Sequence, residues 1–260
     1  MATTEADRLR QFAITRRLEA AGFRAWPATS THYDGTWAVR LTTSFPAKRL
    51  NSVNPLDPSD NRDIAGRIER AKTHFARAGR PLLFRQSPLA PPDLVSHLDA
   101  EGWRRFGESI VFTAELDRLD LSQALDRIPI RDMERYLDAS LVVHQRPAEL
   151  RAGLFEVLSV IRPPAAYFVR ENAGGDPMAT ALAITDNDLA GILDVAVLPS
   201  ERRQGIGRDL IGTALRHTQH KGARTGWLQV EADNVAGVAL YHSLGFKEAY
   251  RYVYRQKGEN

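Results

Sequence analysis

Val195-Ala196-Val197-Leu198-Pro199-Ser200-Glu201-Arg202-Arg203-Gln204-Gly205-Ile206-Gly207-Arg208 is an apolar strand end, a turn, a basic loop with two glycines and the opening of a helix. The helix follows at once, because Ile206, Leu210, Ile211, Ala214, Leu215 and Thr218 recur on one face at helical spacing. A helix that opens in a glycine loop presents backbone N–H groups with no intrahelical partner. Together with the positive end of the helix dipole, those groups suit a phosphate. Gly205 and Gly207 let the backbone approach an anion closely, and Arg202, Arg203 and Arg208 add charge around it.

Two common phosphate loops are excluded. A Walker loop ends in Gly-Lys-Ser/Thr, which is absent. A dinucleotide fingerprint needs a third glycine where Leu210 stands. The order Arg202-x-x-Gly205-x-Gly207 after a strand ending Val-x-Pro resembles instead the acetyl-CoA loop of the GNAT superfamily of N-acetyltransferases. A second stretch strengthens the resemblance. Leu228-Gln229-Val230-Glu231-Ala232-Asp233-Asn234, followed by Gly237, Leu240, Tyr241, Leu244, Gly245 and Phe246, is similar to the family's Asn-x-x-Ala-x-x-Leu-Tyr and Gly-Phe pattern. Gly237 departs from it by standing where the family has Ala, at a cost to the helix of ~1 kcal/mol. The resemblance covers roughly residues 130–255 and implies an α/β fold, a mixed central sheet flanked by helices.

The second stretch also makes sense residue by residue. Asp233 or Asn234 can cap a helix. Gly245 suits the left-handed position after that helix, with Phe246 folding back on its last turn. Tyr241 reads either as a half-buried core aromatic or, by the resemblance, as the donor of a proton to the departing CoA thiolate.

The rest of the composition narrows the setting. The chain has 260 residues and a net charge of +3, with Arg far outnumbering Lys, which suits an anionic ligand such as CoA. No basic run is interleaved with aromatics, so nucleic acid is not an expected partner. No apolar run approaches the ~20 residues of a membrane span, and Met1–Arg10 lacks the apolar core of a signal peptide, so a cytoplasmic location is expected. With no cysteine, an acyl-cysteine intermediate is impossible and acyl transfer must be direct or use a weaker nucleophile. His217 and His220 have metal-compatible spacing but no evident carboxylate or cysteine partner, so a solvated helix face and no metal are expected.

Along the chain, helices are expected over 132–143 and 148–161 and strands over 165–170, 178–185 and 189–197. A helix over 205–220, a strand over 227–230, a helix over 235–244 and a last strand over 247–255 follow. The first half has a helix over about 5–21, strands meeting at Asp34-Gly35, a long helix over about 61–78, a strand over 81–86, a helix over 93–100 and a strand over 107–115. The spacing from Phe84 to Trp103 nearly matches that from Leu228 to Phe246, an internal repeat. The expectation is therefore two GNAT-like halves, a degenerate, truncated one over 1–120 and a catalytic one over 121–260. Asp57-Pro58-Ser59-Asp60 before the long helix offers carboxylates and a missing N–H where a phosphate loop would offer amides, so this half should not bind CoA. Lys48-Arg49-Leu50-Asn51-Ser52-Val53-Asn54-Pro55 looks like a segment of bacterial two-half GNAT proteins that begin with a Trp-Pro element, here Trp26-Pro27. It reads as a turn satisfying its own backbone, or as a loop shaping the acceptor pocket.

The resemblance implies direct transfer of acetyl from acetyl-CoA to an amine of a small molecule or peptide. Amides of Val195, Ala196 and Val197 would hold the pantetheine arm and polarise the thioester. Arg202, Arg203, Gln204, Gly205, Ile206, Gly207 and Arg208 would hold the pyrophosphate, Asn234 would touch the cofactor, and Tyr241 would protonate the thiolate. For the base, Glu231 at a strand end ranks first, ahead of Asp194 within the apolar strand and His144 between two helices. A structural role is open to each: a salt bridge, a buried hydrogen bond and a surface loop. Two other readings remain, a catalytically silent acetyl-CoA sensor and a related acyl or aminoacyl transferase. Neither acceptor nor oligomeric state is legible.

Overall fold

In the computed structural model, residues 4–258 are described; Met1–Thr3, part of the segment read as lacking a signal core, and Glu259–Asn260 lie outside. The elements are α1 (Glu5–Ala25), β1 (Ser30–Asp34), β2 (Trp37–Leu41), β3 (Ser52–Pro55), α2 (Ile64–Arg77), β4 (Phe84–Gln86), α3 (Pro92–Ala100) and β5 (Trp103–Glu115). They continue as α4 (Met133–Val143), α5 (Arg151–Ser159), β6 (Ala165–Glu171), β7 (Pro177–Asp186), β8 (Leu189–Val197), α6 (Ile206–His220), β9 (Thr225–Glu231), α7 (Val235–Ser243) and β10 (Lys247–Lys257). The chain divides into two units: Met1–Val111 with Val230–Asp233 and Glu248–Asn260, and Phe112–Gln229 with Asn234–Lys247. The change-over falls inside β5, ahead of the join read at 120, and β10, read as the last strand of the second half, belongs almost wholly to the first unit.

In the first unit the strands run in the order β1-β2-β3-β4-β10. Neighbours are antiparallel except β3 and β4, which are parallel with Val53 opposite Phe84. β10 joins through Val253 opposite Gln86 and Arg255 opposite Phe84. Under α2 and α3 lies a core of Trp37, Val53, Phe75, Phe84, Leu94, Leu98 and Trp103. Phe84 meets Trp37 and Trp103 edge to face at 5.5 and 5.4 Å, a favoured aromatic arrangement. Beside this core, Glu19 accepts hydrogen bonds from Arg85 and from the Tyr250 hydroxyl, all three buried.

Several expectations for this unit are corrected. The 48–55 segment is not a turn: a 3-10 turn over Lys48–Leu50 leads into β3, an internal strand buried at all four positions. Its polar side chains do what an internal strand requires of them. Asn51 Oδ1 accepts from Thr42 N at 2.8 Å while its amide donates to the Phe45 and Ala47 carbonyls, and the Asn54 amide donates to the Ser52 carbonyl. Helix α2 starts at Ile64, later than expected, because Asp57 and Asp60 are occupied elsewhere. Asp57 caps the Ser59 turn, and buried Asp60 accepts from Thr36 N and Oγ1 and pairs with Arg67 at 3.1 Å. The carboxylate at the helix start is that of Asp63, in the left-handed region at φ 47°. The expected strand over 81–86 shrinks to three residues, and the helix over 148–161 divides into a 3-10 turn and α5.

In the second unit the order is β6-β7-β8-β9, with β5 next to β9. β6, β7 and β8 are antiparallel; β8 and β9 are parallel from Leu189–Thr225 to Ile192–Leu228. Buried Leu210, Ile211, Ala214 and Leu215 on α6 confirm its apolar stripe. His217 is half-buried edge-on to Phe168 at 5.6 Å, not on a solvated face as expected. At the floor of the sheet, Gly191 lies opposite Trp227, and a Cβ there would sit 2.7 Å from the Trp227 ring. Trp227 is buried and cannot move aside. Gly191→Ala should therefore cost about 1–3 kcal/mol, read as a lower urea midpoint with an unchanged slope.

Candidate active site

The glycine loop is built as the sequence suggests. Pro199–Glu201 forms a 3-10 turn after β8; Arg203 takes φ 67° and Gly205 φ 81°, so two left-handed residues curl the chain into α6. Gly205 is the N-cap and provides no side-chain cap; the first helical bond runs from Asp209 N to the Gly205 carbonyl at 3.0 Å. The amides of Ile206, Gly207 and Arg208 therefore precede the ladder. A Cβ on Gly205 would meet nothing within 4 Å, so the space over the loop is open. Arg202, Arg203, Gln204 and Arg208 are exposed. Arg202 Nε donates to the Val197 carbonyl at 3.1 Å, Gln204 Nε2 to Glu201 at 3.2 Å, and Arg208 to the Ser243 hydroxyl. The one acid in the first turn, Asp209, is paired with Arg127 at 2.9 Å.

Upstream of the loop, β8 breaks register with β7. Leu193 faces Leu182 and Ala196 faces Thr180, so Asp194 and Val195 together oppose Ala181. This is a β-bulge, and Asp194 sits in it at φ 49°. The parallel pairing with β9 stops one residue before Leu193, at Ile192–Leu228. From Asp194 to Val197 the strand is half-exposed after five buried residues. Val195, Ala196 and Val197 thus form an open strand edge leading into the loop, the place where amides can act on a ligand.

The Asp194 carboxylate is only 2% exposed. It accepts from Tyr136 Oη at 2.9 Å, Ser140 Oγ at 2.6 Å and Arg146 at 2.8 Å, and lies 3.1 Å from His144 Nε2. Burial alone would push its pKa up; His144 and Arg146 outweigh that and hold the carboxyl far below the usual carboxylate range. Burial and the adjoining Asp194 charge push the Tyr136 phenol well up.

Helix α7 is capped as read. Asn234 Oδ1 accepts from Gly237 N at 3.0 Å. At its end Gly245, at φ 93°, and Phe246 close a Schellman motif: Gly245 N donates to the His242 carbonyl and Phe246 N to the Tyr241 carbonyl. The absence of a Cβ at Gly237 has a local reason, since one would stand 2.9–3.1 Å from the folded Asn234 amide. Tyr241 is the one buried residue of α7, with the Phe112 and Phe246 rings at 6.1 and 6.3 Å. Burial pushes its phenol up to about 12.

The family described as "Probable histone acetyltransferase Rv0428c C-terminal" matches residues 13–255, nearly the whole chain. The chain belongs to this family of GNAT N-acetyltransferases. The GNAT chain is 23% identical over 248 residues to the uncharacterized N-acetyltransferase YobR of Bacillus subtilis (strain 168), covering 93% of this chain and 98% of that one. It is 45% identical over 71 residues, 26% of its length, to the ribosomal protein bS18-alanine N-acetyltransferase of Escherichia coli (strain K12). That match spans about half of the relative, 48%. Among solved structures, a GCN5-related N-acetyltransferase from Kribbella flavida shares the fold with a TM-score of 0.69 at 18% identity, over 95% of this chain and 96% of that one. A tandem GNAT protein from the clavulanic acid biosynthesis pathway does so with a TM-score of 0.65 at 17% identity, over 100% and 98%.

Within this GNAT chain the second unit gathers Val195–Val197, the 202–208 loop, Asn234 and Tyr241, together with Asp194 and His144. Glu231 lies in the first unit, where its exposed carboxylate is 3.0 Å from Lys48 Nζ. Sequence reasoning missed the partners of Asp194. Tyr136, Ser140 and Arg146 carry no motif; the acid within an apolar strand was the one local sign that something had to meet it.

Proposed function

We propose that the second unit transfers the acetyl group of acetyl-CoA directly to an amine, and that the open edge at Val195–Val197 carries this reading. Strand β8 leaves β9 after Ile192 and runs into an uncapped helix start, so amides for a thioester carbonyl and amides for a pyrophosphate follow one another along one stretch of chain. Such preformed donors stabilise a developing oxyanion without reorganisation. The exposed Arg203 and Arg208 complement the diphosphate. Asn234, whose side chain lies folded on α7, is the proposed pantetheine contact.

Tyr241 is the proposed donor to the leaving sulfur. With its pKa at about 12 it stays protonated across the neutral range. It is then roughly a thousandfold weaker acid than a thiol of ordinary pKa near 8.5. It therefore acts as a hydrogen-bond donor to the developing thiolate, while the nitrogen of the nascent amide supplies the proton that finally rests on sulfur. Tyr241→Phe should lower turnover about 10²–10⁴-fold and leave the acetyl-CoA dissociation constant within about threefold. Stopped thiol-release assays beside calorimetry read both; undiminished turnover in the variant would remove Tyr241 from the reaction, and binding without thiol release in the wild type would favour the sensor reading.

We further propose that residues 121–260 hold the catalytic half and residues 1–120 a degenerate copy. In each unit three antiparallel strands are followed by a helix, a strand parallel to the third, and a second helix. Only the later copy has the glycine loop; the earlier has Asp63 at the helix start. The acceptor class is a primary amine of a small molecule, peptide or protein. Relatives are named for a ribosomal alanine and for mycothiol, and the family for histones. Among the described residues no helix is long and apolar enough to cross a membrane, and we assign the enzyme to the cytoplasm with its acyl donor. Glu231 is carried as a candidate base; using it requires the Lys48 pair to open.

A further inference from the structure

We infer that His144, oriented by Asp194, is the general base that takes a proton from the incoming amine; the inference rests on the acetyltransferase reading above. His144 caps the C-terminus of α4 and is 19% exposed at its side chain, while the Asp194 side chain beside it is 2% exposed. Its Nε2 stands 3.1 Å from Asp194 Oδ1 and 3.2 Å from the Asp194 carbonyl oxygen. Both neighbours are acceptors only: a carbonyl oxygen carries no hydrogen, and the carboxylate already accepts from Tyr136 Oη, Ser140 Oγ and Arg146. In the neutral ring the hydrogen must therefore sit on Nε2, and Nδ1 carries the lone pair. Among the described residues Nδ1 has no protein partner. This is the division of labour of a carboxylate–histidine pair: the acid fixes the tautomer and the far nitrogen does the chemistry.

Position supports the role. The carbonyl that meets Nε2 belongs to the bulge residue immediately before Val195, the first of the three residues proposed to polarise the thioester. The bulge and the imidazole are thus held by one carboxylate. Ser140 on α4 and Arg146 in the loop after it hold that carboxylate, as does Tyr136, whose ring is tilted against Tyr167 at 4.8 Å. Among the described residues these are the charged and titratable groups in contact with the pair; none can replace His144, because the Arg146 guanidinium stays charged and the Tyr136 phenol is pushed far up.

The step balances as follows. An ammonium R–NH₃⁺ gives one proton to His144 Nδ1, and the freed nitrogen pair forms the N–C bond to the thioester carbon. Collapse of the oxyanion breaks the C–S bond. The second nitrogen proton passes to sulfur while the Tyr241 hydroxyl donates a hydrogen bond to it, and the imidazolium releases its proton to solvent. An ammonium and a thioester give an amide, a thiol and one proton.

The test uses two nucleophiles with the full-length protein and acetyl-CoA: an alanine-initiated peptide, whose amine arrives protonated, and hydroxylamine, which is already neutral. The variant is His144→Gln, which can keep an N–H toward Asp194 and so preserve the bulge, with His144→Ala beside it. The expected result is a loss of about 100-fold or more in kcat/KM for the peptide, less than about threefold for hydroxylamine, and an unchanged acetyl-CoA titration. Equal losses for both nucleophiles, or no loss for either, would overturn the assignment, as would a Glu231→Gln variant that alone silences the peptide. A wild type that binds acetyl-CoA but turns over neither nucleophile would overturn the enzyme reading itself, and the base with it.

Discussion

Asp194→Ala should cost the protein about 3–5 kcal/mol of stability, the loss expected when one partner of a buried charge network is removed. Four groups converge on this carboxylate: Tyr136 Oη, Ser140 Oγ, Arg146 and His144. Without it, two buried hydroxyls and a half-buried guanidinium lose the acceptor that justified their desolvation. The left-handed bulge loses its anchor as well, so the strand has reason to return to regular pairing with β7. The effect has a pH signature. The folded-state pKa is depressed below the unfolded value near 3.9. The ionic contribution is therefore full above that value and is lost as the pH falls below it. In urea titrations the gap between wild type and Asp194→Ala should be widest near neutrality and narrow below pH ~4. Asp194→Asn, which keeps the shape and one acceptor, should fall between them. A variant as stable as wild type at neutral pH would show that the cluster is incidental.

The second large effect is on ligand binding. Arg203→Glu combined with Gly205→Asp should weaken acetyl-CoA by about 100-fold or more while the thermal midpoint moves only a few degrees. Gly205 holds φ 81°, a conformation that costs a residue with a Cβ about 1–2 kcal/mol. The loop is exposed and its Cβ position open, so the substitution strains the curl without disturbing the core. Loss of a charge-assisted bond adds about 1.5–3 kcal/mol, and two new carboxylates repel the diphosphate. Calorimetry reads the affinity and circular dichroism the fold. Binding within about threefold of wild type would place the diphosphate elsewhere.

How much of this was legible in the chain depends on how local each feature is. The run from β8 through α7 was readable because each decision is made within a few residues: an apolar run, then Gly205 and Gly207, a 3.6-residue stripe, Asn234 and Gly245 at the ends of one short helix. Strand β3 was not readable as a strand. Its Asn54 and Ser52 side chains, which look like turn chemistry, are buried, and the Asn54 amide donates to the Ala38 and Ser52 carbonyls and to the Ser52 hydroxyl. The destination of β10 carried no local sign at all, because pairing Val253 with Gln86 is settled by tertiary contacts. At the candidate site the sequence named the loop and Asp194, but the bulge, its left-handed φ and the convergence of Tyr136, Ser140, Arg146 and His144 depend on α4 lying against β8. Such convergence is invisible until the fold brings it together.

The central claim is that one unit, and only one, takes acetyl-CoA. The most direct measurement is a calorimetric titration of the wild-type protein with acetyl-CoA, analysed for stoichiometry as well as affinity. The account predicts a single site per chain with micromolar affinity. No heat, or two equivalent sites per chain, would contradict it.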